Sequence, residues 1–336
     1  MARIAVMGSG SWGTAFAVVL SDAGHDVMLW SHNSALADAI TSGHENPTYH
    51  PGITLPAGLL ATVDPDRALA GASAVVLALP AQTLRDNLAS WGASVARDAV
   101  LVSLIKGIEW GTQLRMTQVV AQCLDLPDSR VATVTGPNLA REIAERQPAA
   151  TLVACSDAEV AERLRDQMST GYFRPYSSTD VVGAELAGAV KNVIALANGI
   201  AVGMGFGENT QAALITRGLA EMTRLGVALQ ADPLTFMGLA GVGDLLATCN
   251  SPLSRNRTFG EHLGRGSSVA ETIALTRQTS EAVKSCRPIV ALAAKHGVDM
   301  PISRTVVSVV HDGVSPAEAL GPLMDRPTKV ENEVRG

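Results

Sequence analysis

The sequence predicts an α/β chain: an N-terminal doubly wound, mostly parallel sheet with helices on both faces, followed by an all-α C-terminal domain. Three observations predict it. Short β-rich apolar runs alternate with helical patterns through the first half. A glycine-rich turn joins the first run to the first helix. The strand signal then stops near Val181, and every later apolar pattern has helical spacing. The expected division is residues 1–182 and 183–336, with a long helix joining the halves.

The first element decides between two compartments. Residues 4–21 are apolar and uncharged and follow Arg3, as a secretory leader would. A leader needs a continuous apolar helix, yet Gly8, Gly10 and Gly13 interrupt this one, each at about 0.5–1 kcal/mol in a helix interior. A strand at 4–7, a turn, a helix closed by Gly24 and a strand at 27–30 fit better. Gly8-x-Gly10-x-x-Gly13 is the Rossmann-like fingerprint. It lets the backbone turn tightly and approach a pyrophosphate at a helix N-terminus. Further strands are expected at 74–79, 100–105, 131–135 and 151–154, with a weaker one at 173–177. Helical patterns at 81–91 and 112–123 lie between them. Helices follow at 184–202, 210–226, 243–248, 256–263 and 280–296, then a pair after Pro301 with a break near Gly313.

Composition narrows the function classes. A chain of 336 residues has room for two domains and a sizeable core. A net charge of −6 gives no basic footprint for nucleic acid, and 4% aromatic content leaves little for base stacking. The helix at 184–202 carries Glu185, Lys191, Asn192 and Asn198, which a bilayer would penalise, so no integral membrane segment is expected. Cys123, Cys155, Cys249 and Cys286 form no C-x-x-C pair, and the seven histidines form no H-E-x-x-H. A cytoplasmic protein with a metal-free site is the expectation. Buried helical faces are compatible with a homodimer.

Chemistry is expected at the carboxyl ends of the parallel strands. Three such ends lead into Pro80-Ala81-Gln82, Lys106-Gly107-Ile108-Glu109 and Gly136-Pro137-Asn138-Leu139-Ala140. Gln82 reads as ordinary loop polarity, whereas Lys106 beside a glycine suits a phosphate or cofactor. After the second strand comes Trp30-Ser31-His32-Asn33, with no carboxylate for a ribose diol. That favours NADP, or no preference, over strict NAD. Lys191 lies in a helix apolar on nearly every face, in a chain with 21 arginines and five lysines. A buried lysine can exchange a proton where arginine cannot. The alternative is a structural lysine paired to Glu185 or Asp244. Asp244 and Thr248 share a helix face, although an aspartate there is also a common N-cap. Ser254-Arg255-Asn256 at a helix start suits a phosphate, or is an exposed basic turn.

These motifs together resemble the bacterial NAD(P)-dependent sn-glycerol-3-phosphate dehydrogenases. The matching pieces are GSGSWGTA at 8–15, KGIE at 106–109, GPNLAREIA at 136–144, the long stretch 185–222, GLAGVGDLLATCNSPLSRNRTFG at 238–260, MPISRTV and LMDRP. The resemblance implies that Ser11 and Trp12 contact the dinucleotide, with His32, Asn33 and Tyr49 near its adenosine end. It implies that Lys106 touches cofactor and substrate, Gly136 and Asn138 the substrate, and Ala140 the cofactor. Lys191 would exchange the proton with Asn192 beside it, and Asp244 would hold the substrate hydroxyl region with Thr248 adjacent. Ser254, Arg255 and Asn256 would grip the substrate phosphate, Arg255 also reaching the cofactor, and Glu281 would contact the cofactor. The family more often has arginine at His32, and serine and phenylalanine at Asn138-Leu139. The implied reaction is reversible hydride transfer between NAD(P)H and dihydroxyacetone phosphate, giving sn-glycerol 3-phosphate for glycerophospholipids. The rival readings are a related two-domain 3-hydroxy-acid dehydrogenase and a non-catalytic NADP-sensing protein. A methyltransferase predicts an acidic residue after the second strand, and none is present.

Overall fold

The computed structural model describes residues 1–276 and 280–325. Its first half alternates strand and helix. The strands are β1 (Arg3–Met7), β2 (Asp26–Trp30), β3 (Glu45–Asn46), β4 (His50–Thr54), β5 (Leu60–Thr62), β6 (Ala74–Leu77), β7 (Val100–Ser103), β8 (Val131–Thr135), β9 (Ala149–Ala154) and β10 (Phe173–Ser178). Between them run α1 (Ser11–Asp22), α2 (Ser34–Gly43), α3 (Pro65–Leu69), α4 (Leu84–Trp91), α5 (Met116–Leu124), α6 (Ala140–Ala144) and α7 (Ala158–Met168).

Eight strands form one sheet in the order β10-β9-β8-β7-β6-β1-β2-β5. Every pairing is parallel except β8 with β9. The central strands β6 and β7 are buried along their whole length, as a sheet covered on both faces requires. The winding reverses between β1 and β6, so their carboxyl ends flank the crevice of a doubly wound sheet.

All seven expected strands form. β6 and β7 stop two residues earlier than expected, and this leaves 78–79 and 104–105 as loop at the crevice. The short edge strand β5 and the β3–β4 hairpin had no visible periodicity. The helix expected from 112 begins at Met116. Ile108 pairs with Arg115 in an isolated bridge and Gln113 has φ +61°, so 108–115 is a turn.

The second half is helical: α8 (Val181–Gly203), α9 (Glu208–Ala228), α10 (Pro233–Met237), a π-helical turn at Leu239–Gly243, α11 (Asp244–Asn250), α12 (Arg255–Gly264), α13 (Val269–Thr276), α14 (Glu281–Lys295), α15 (Pro301–His311) and α16 (Pro316–Met324). Of the LMDRP segment, Arg326 and Pro327 lie outside the described residues. α8 is long and apolar enough to cross a bilayer by length and composition. However, 83% of its most apolar window is buried inside the fold, which makes it the core helix of the second half. α12 lies directly against it: a Cβ on Gly199 would stand 2.0 Å from the Arg257 carbonyl, and one on Gly260 would stand 2.1 Å from that of Leu196.

The halves interlock. Ile108, from the loop after β7, is fully buried in the helical core. The buried Glu185 on α8 accepts hydrogen bonds from the Thr117 amide (2.8 Å), the Thr117 hydroxyl (2.6 Å) and Arg115 (2.5 Å) at the start of α5. Gln82 braces the same loop, donating to the Ile108 carbonyl and accepting from the Trp110 amide. Its expected role as ordinary loop polarity thus has a definite structural content.

Candidate active site

The glycine turn explains its own spacing. Gly8 has φ +128°, and a Cβ there would lie 2.4 Å from the Ala78 carbonyl oxygen at the end of β6. A Cβ on Gly13 would lie 1.9 Å from the Gly8 carbonyl. Neither position tolerates a side chain. A Cβ on Gly10 would meet nothing within 4 Å, so that face of the turn is open. Gly10 is the N-cap of α1 and offers no side-chain acceptor to the first-turn amides. Free amides, the positive end of the helix and open space above them fit a dinucleotide pyrophosphate. Trp12 packs edge-on against Phe16, with ring centroids 5.4 Å apart, while its indole N–H is buried without a protein partner among the described residues.

Beyond β2, Ser31 is buried and accepts a hydrogen bond from the Ser9 hydroxyl at 2.8 Å. His32 and Asn33 are exposed beside it. The Asn33 oxygen caps α2 by accepting from the Leu36 amide at 3.1 Å, so its role is at least partly local. Tyr49 is half-buried and packs against the sheet core.

Two lysines meet on one carboxylate. Asp244 opens α11 and is 1% exposed. One of its oxygens accepts from Lys191 Nζ on α8 at 2.8 Å. The other accepts from Lys106 Nζ, just after β7, at 2.5 Å. Lys191 also donates to the Thr248 hydroxyl (2.6 Å), and Lys106 to the Gly136 carbonyl (3.2 Å). The approach is possible because Gly188 faces the sheet: a Cβ there would stand 2.8 Å from Thr135 Oγ1 and 3.4 Å from Lys106 Cγ. Burial pushes the Lys191 ammonium down to about 8, with Lys106 acting the same way and Asp244 opposing. Burial alone would raise the Asp244 carboxyl, but Lys106 and Lys191 hold it below the usual range. Of the two partners considered for Lys191, the structure selects Asp244; Glu185 is taken by Arg115.

The remaining expected residues approach from two sides. Asn192 is buried next to Lys191, and its oxygen accepts from the Asn256 amide at 2.9 Å. The Asn256 oxygen in turn accepts from the Ser280 hydroxyl and, at 3.2 Å, from the Ala282 amide. Ser254 caps α12 by accepting from the Arg257 amide at 3.3 Å, and Arg255 is exposed at the first position of that helix. Glu281 opens α14; one of its carboxylate oxygens is buried without a protein partner among the described residues, and burial raises its pKa against Lys284 and Arg255. Across the cleft, Gly136 has φ +152°, and Ala140 begins α6, which packs on α1. Asn138 donates from its amide to Thr151 at 2.9 Å and leaves its oxygen buried without a protein partner among the described residues. One of its two N–H donors is spent on the sheet, so the expected substrate contact falls to the other N–H and the oxygen. Among the described residues, no three of His, Cys, Asp and Glu converge as metal ligands would.

Asn46 and His50 escaped the sequence reading. Both are fully buried in the β3–β4 hairpin and reach the glycine turn: Asn46 donates to the Ser9 carbonyl, and His50 Nε2 lies 2.8 Å from that of Ser11. The available signal was weak, since Asn-Pro and Pro-Gly in ENPTYHPG announce turns but not what they hold.

Comparison with known proteins places the chain in a family. Residues 3–161 match the family described as NAD-dependent glycerol-3-phosphate dehydrogenase N-terminus, and residues 180–321 match its C-terminus. The glycerol-3-phosphate dehydrogenase [NAD(P)+] of Streptomyces griseus is 60% identical over 329 residues, 98% of either chain. That of Thermobifida fusca is 59% identical over 332 residues, covering 98% of this chain and 99% of its own. The crystal structure of glycerol-3-phosphate dehydrogenase from Coxiella burnetii superposes with a TM-score of 0.91 at 35% identity, over 97% of this chain and 99% of that one. With both halves matched and relatives of this identity along nearly the whole length, the chain belongs to the NAD-dependent glycerol-3-phosphate dehydrogenase family.

Proposed function

We propose that the protein interconverts dihydroxyacetone phosphate and sn-glycerol 3-phosphate with NADH or NADPH. The observation that carries this is the buried Lys191 ammonium, fixed between Asp244 and Thr248 and joined through Asp244 to Lys106 at a strand end. A nicotinamide dinucleotide supplies the hydride. Gly8, Gly10, Ser11, Trp12 and Gly13 would hold its pyrophosphate region, His32, Asn33 and Tyr49 its adenosine end, and Ala140, Arg255 and Glu281 would complete its binding. The missing carboxylate after β2 supports acceptance of both cofactors.

Lys191 stabilises the negative charge that develops on the carbonyl oxygen and gives that oxygen its proton. Its ammonium, held at about 8, is a stronger acid than free lysine and is still charged at neutral pH. Asp244 keeps it charged and aimed, Thr248 fixes the third direction, and Asn192 lies beside it. Lys106, Gly136, Asn138, Ser254, Arg255 and Asn256 bind the substrate, with the α12 N-terminus and Arg255 on its phosphate. The division at 182/183, cytoplasmic location and a homodimer belong to the same reading. Exposed Leu234, Met237 and Leu253 support the last.

Initial-rate oxidation of NADH and of NADPH with dihydroxyacetone phosphate tests the proposal. No oxidation of either ends it. Equal turnover of a phosphate-free hydroxy ketone would favour a hydroxy-acid type enzyme instead.

A further inference from the structure

We propose that the β3–β4 hairpin is a clamp that presets the glycine turn for a pyrophosphate, with Asn46 and His50 as its positioning residues. This rests on the dinucleotide reading above. Asn46 is 0% exposed and uses its whole amide: Nδ2 donates to the Ser9 carbonyl (3.2 Å) and to Thr14 Oγ1 (2.9 Å), and Oδ1 accepts from the Tyr49 amide (3.1 Å). Thr14 Oγ1 itself donates to the Ser9 carbonyl at 3.1 Å. His50 is also 0% exposed, with Nε2 2.8 Å from the Ser11 carbonyl. A carbonyl only accepts, so Nε2 carries the hydrogen.

Peptide geometry turns these two contacts into a statement about donors. In a trans peptide, the carbonyl of one residue and the N–H of the next point in opposite directions. Holding the Ser9 carbonyl against Asn46 therefore aims the Gly10 N–H away from the hairpin. Holding the Ser11 carbonyl against His50 does the same for the Trp12 N–H. Both amides lie where α1 has no intrahelical acceptor to offer, and the face above Gly10 is open. Peptide planes ahead of a helix can rotate in a glycine turn left to itself; the buried Asn46 amide removes that freedom at Ser9, and the buried His50 imidazole ties the first carbonyl inside α1 to the same hairpin, before the ligand arrives. The Ser9–Ser31 hydroxyl pair fixes the same turn to the end of β2. Neither Asn46 nor His50 needs to touch the ligand for this.

The test uses the whole protein and three ligands: NADPH, ADP-ribose, which keeps the pyrophosphate, and 2′-AMP, which lacks it. His50→Phe should weaken NADPH and ADP-ribose by about tenfold or more, the loss expected from misaimed anion donors. It should change 2′-AMP affinity and the triose phosphate KM by less than about twofold, and raise the cofactor KM more than it lowers kcat. His50→Gln, which retains an N–H at the end of the side chain, should recover most of the loss. Unchanged ADP-ribose affinity, equal weakening of all three ligands, or no rescue by glutamine overturns the clamp. If His50→Phe does not fold, His50→Ala with the same ligands decides in the same way. A wild-type protein that binds neither dinucleotide overturns the cofactor reading and the clamp with it, whereas normal wild-type binding with indifferent variants overturns the clamp alone.

Discussion

Replacing Lys191 with methionine should make the protein more stable and far less active, and the two effects can be sized separately. The Lys191 pKa falls from 10.5 to about 8 because the ammonium is buried on α8. At ~1.4 kcal/mol per tenfold change in acidity, folding disfavours the charged form by about 3 kcal/mol. The folded pKa lies below the unfolded one, so this penalty is fully present below pH 8 and is relieved as pH rises from about 8 towards 10.5. Methionine has nearly the same length and no charge to desolvate. Asp244 keeps Lys106 as its partner, so its carboxylate is not stranded. The lost contacts to Asp244 and Thr248 offset part of the gain. The expectation at pH 7 is stabilisation between zero and about 3 kcal/mol, and the gap should close as pH approaches 10. Turnover should drop by about 10²–10⁴, the usual worth of a placed proton donor. Denaturant titrations across pH and initial rates at saturating dihydroxyacetone phosphate and NADPH measure the two. Destabilisation by more than about 1 kcal/mol at pH 7 would mean that the ion pair outweighs its desolvation. A kcat within tenfold of wild type would remove Lys191 from the chemistry.

Arg255→Ala should raise the triose phosphate KM by about 10- to 100-fold with a smaller change in kcat, because a charge-assisted bond to phosphate is held nearly equally along the reaction; steady-state kinetics checks it. Gly13→Ala should abolish cofactor binding or folding, its methyl meeting the Gly8 carbonyl at 1.9 Å, whereas Gly10→Ala should fold normally and only weaken NADPH, as calorimetry with thermal melts will show. Glu221, buried on α9 and accepting from the Ile302 and Ser303 amides, has its pKa raised to about 7 chiefly by burial. Its folded pKa exceeds the unfolded value of 4.5, so the stability it contributes is fully present below about pH 4.5 and is lost as pH rises to about 7. Glu221→Gln should flatten that part of the stability profile in pH-resolved denaturation.

What the sequence disclosed follows from how locally each feature is encoded. β1, the glycine turn and α1 are contiguous, and each needs only its own residues: Gly8 and Gly13 are demanded by a turn a few residues wide. Lys191 stood out because a charge in an apolar helix contradicts its surroundings, and the structure supplies the partner that resolves the contradiction. The hairpin holding Asn46 and His50 was illegible for the opposite reason. β3 has two residues and β4 five, too few for a period, and their partners lie more than 30 residues upstream. The start of α5 was misplaced because the sequence reads 112–115 as the first turn of the helix, while the segment from Ile108 to Arg115 is held as a turn by Gln82 and by the Ile108 anchor in the other half. Asn138 shows the same limit within a motif, since nothing near it in sequence announces that Thr151 will claim its amide.

The two lysines on Asp244 are not equivalent, and their origins explain why the site needs both halves. Lys106 comes from a sheet loop and Lys191 from the core helix, while the carboxylate between them belongs to a third element that starts after a π-helical turn. Separating the halves would leave Asp244 with one lysine and would uncover Lys191, so the lowered pKa of that ammonium belongs to the docked arrangement. Docking is held on the same elements that carry the lysines: Ile108, two residues past Lys106, in the helical core, and Glu185, on the helix of Lys191, capping the start of α5. Two ammoniums against one carboxylate leave a positive cluster, which an anionic triose phosphate completes. The same docking that disfavours the Lys191 charge thus creates the field that favours the substrate. A structural lysine would need only the first half of that arrangement, with Asp244 as a single partner; Lys106 on the other oxygen adds the second positive charge that the proposed substrate site calls for.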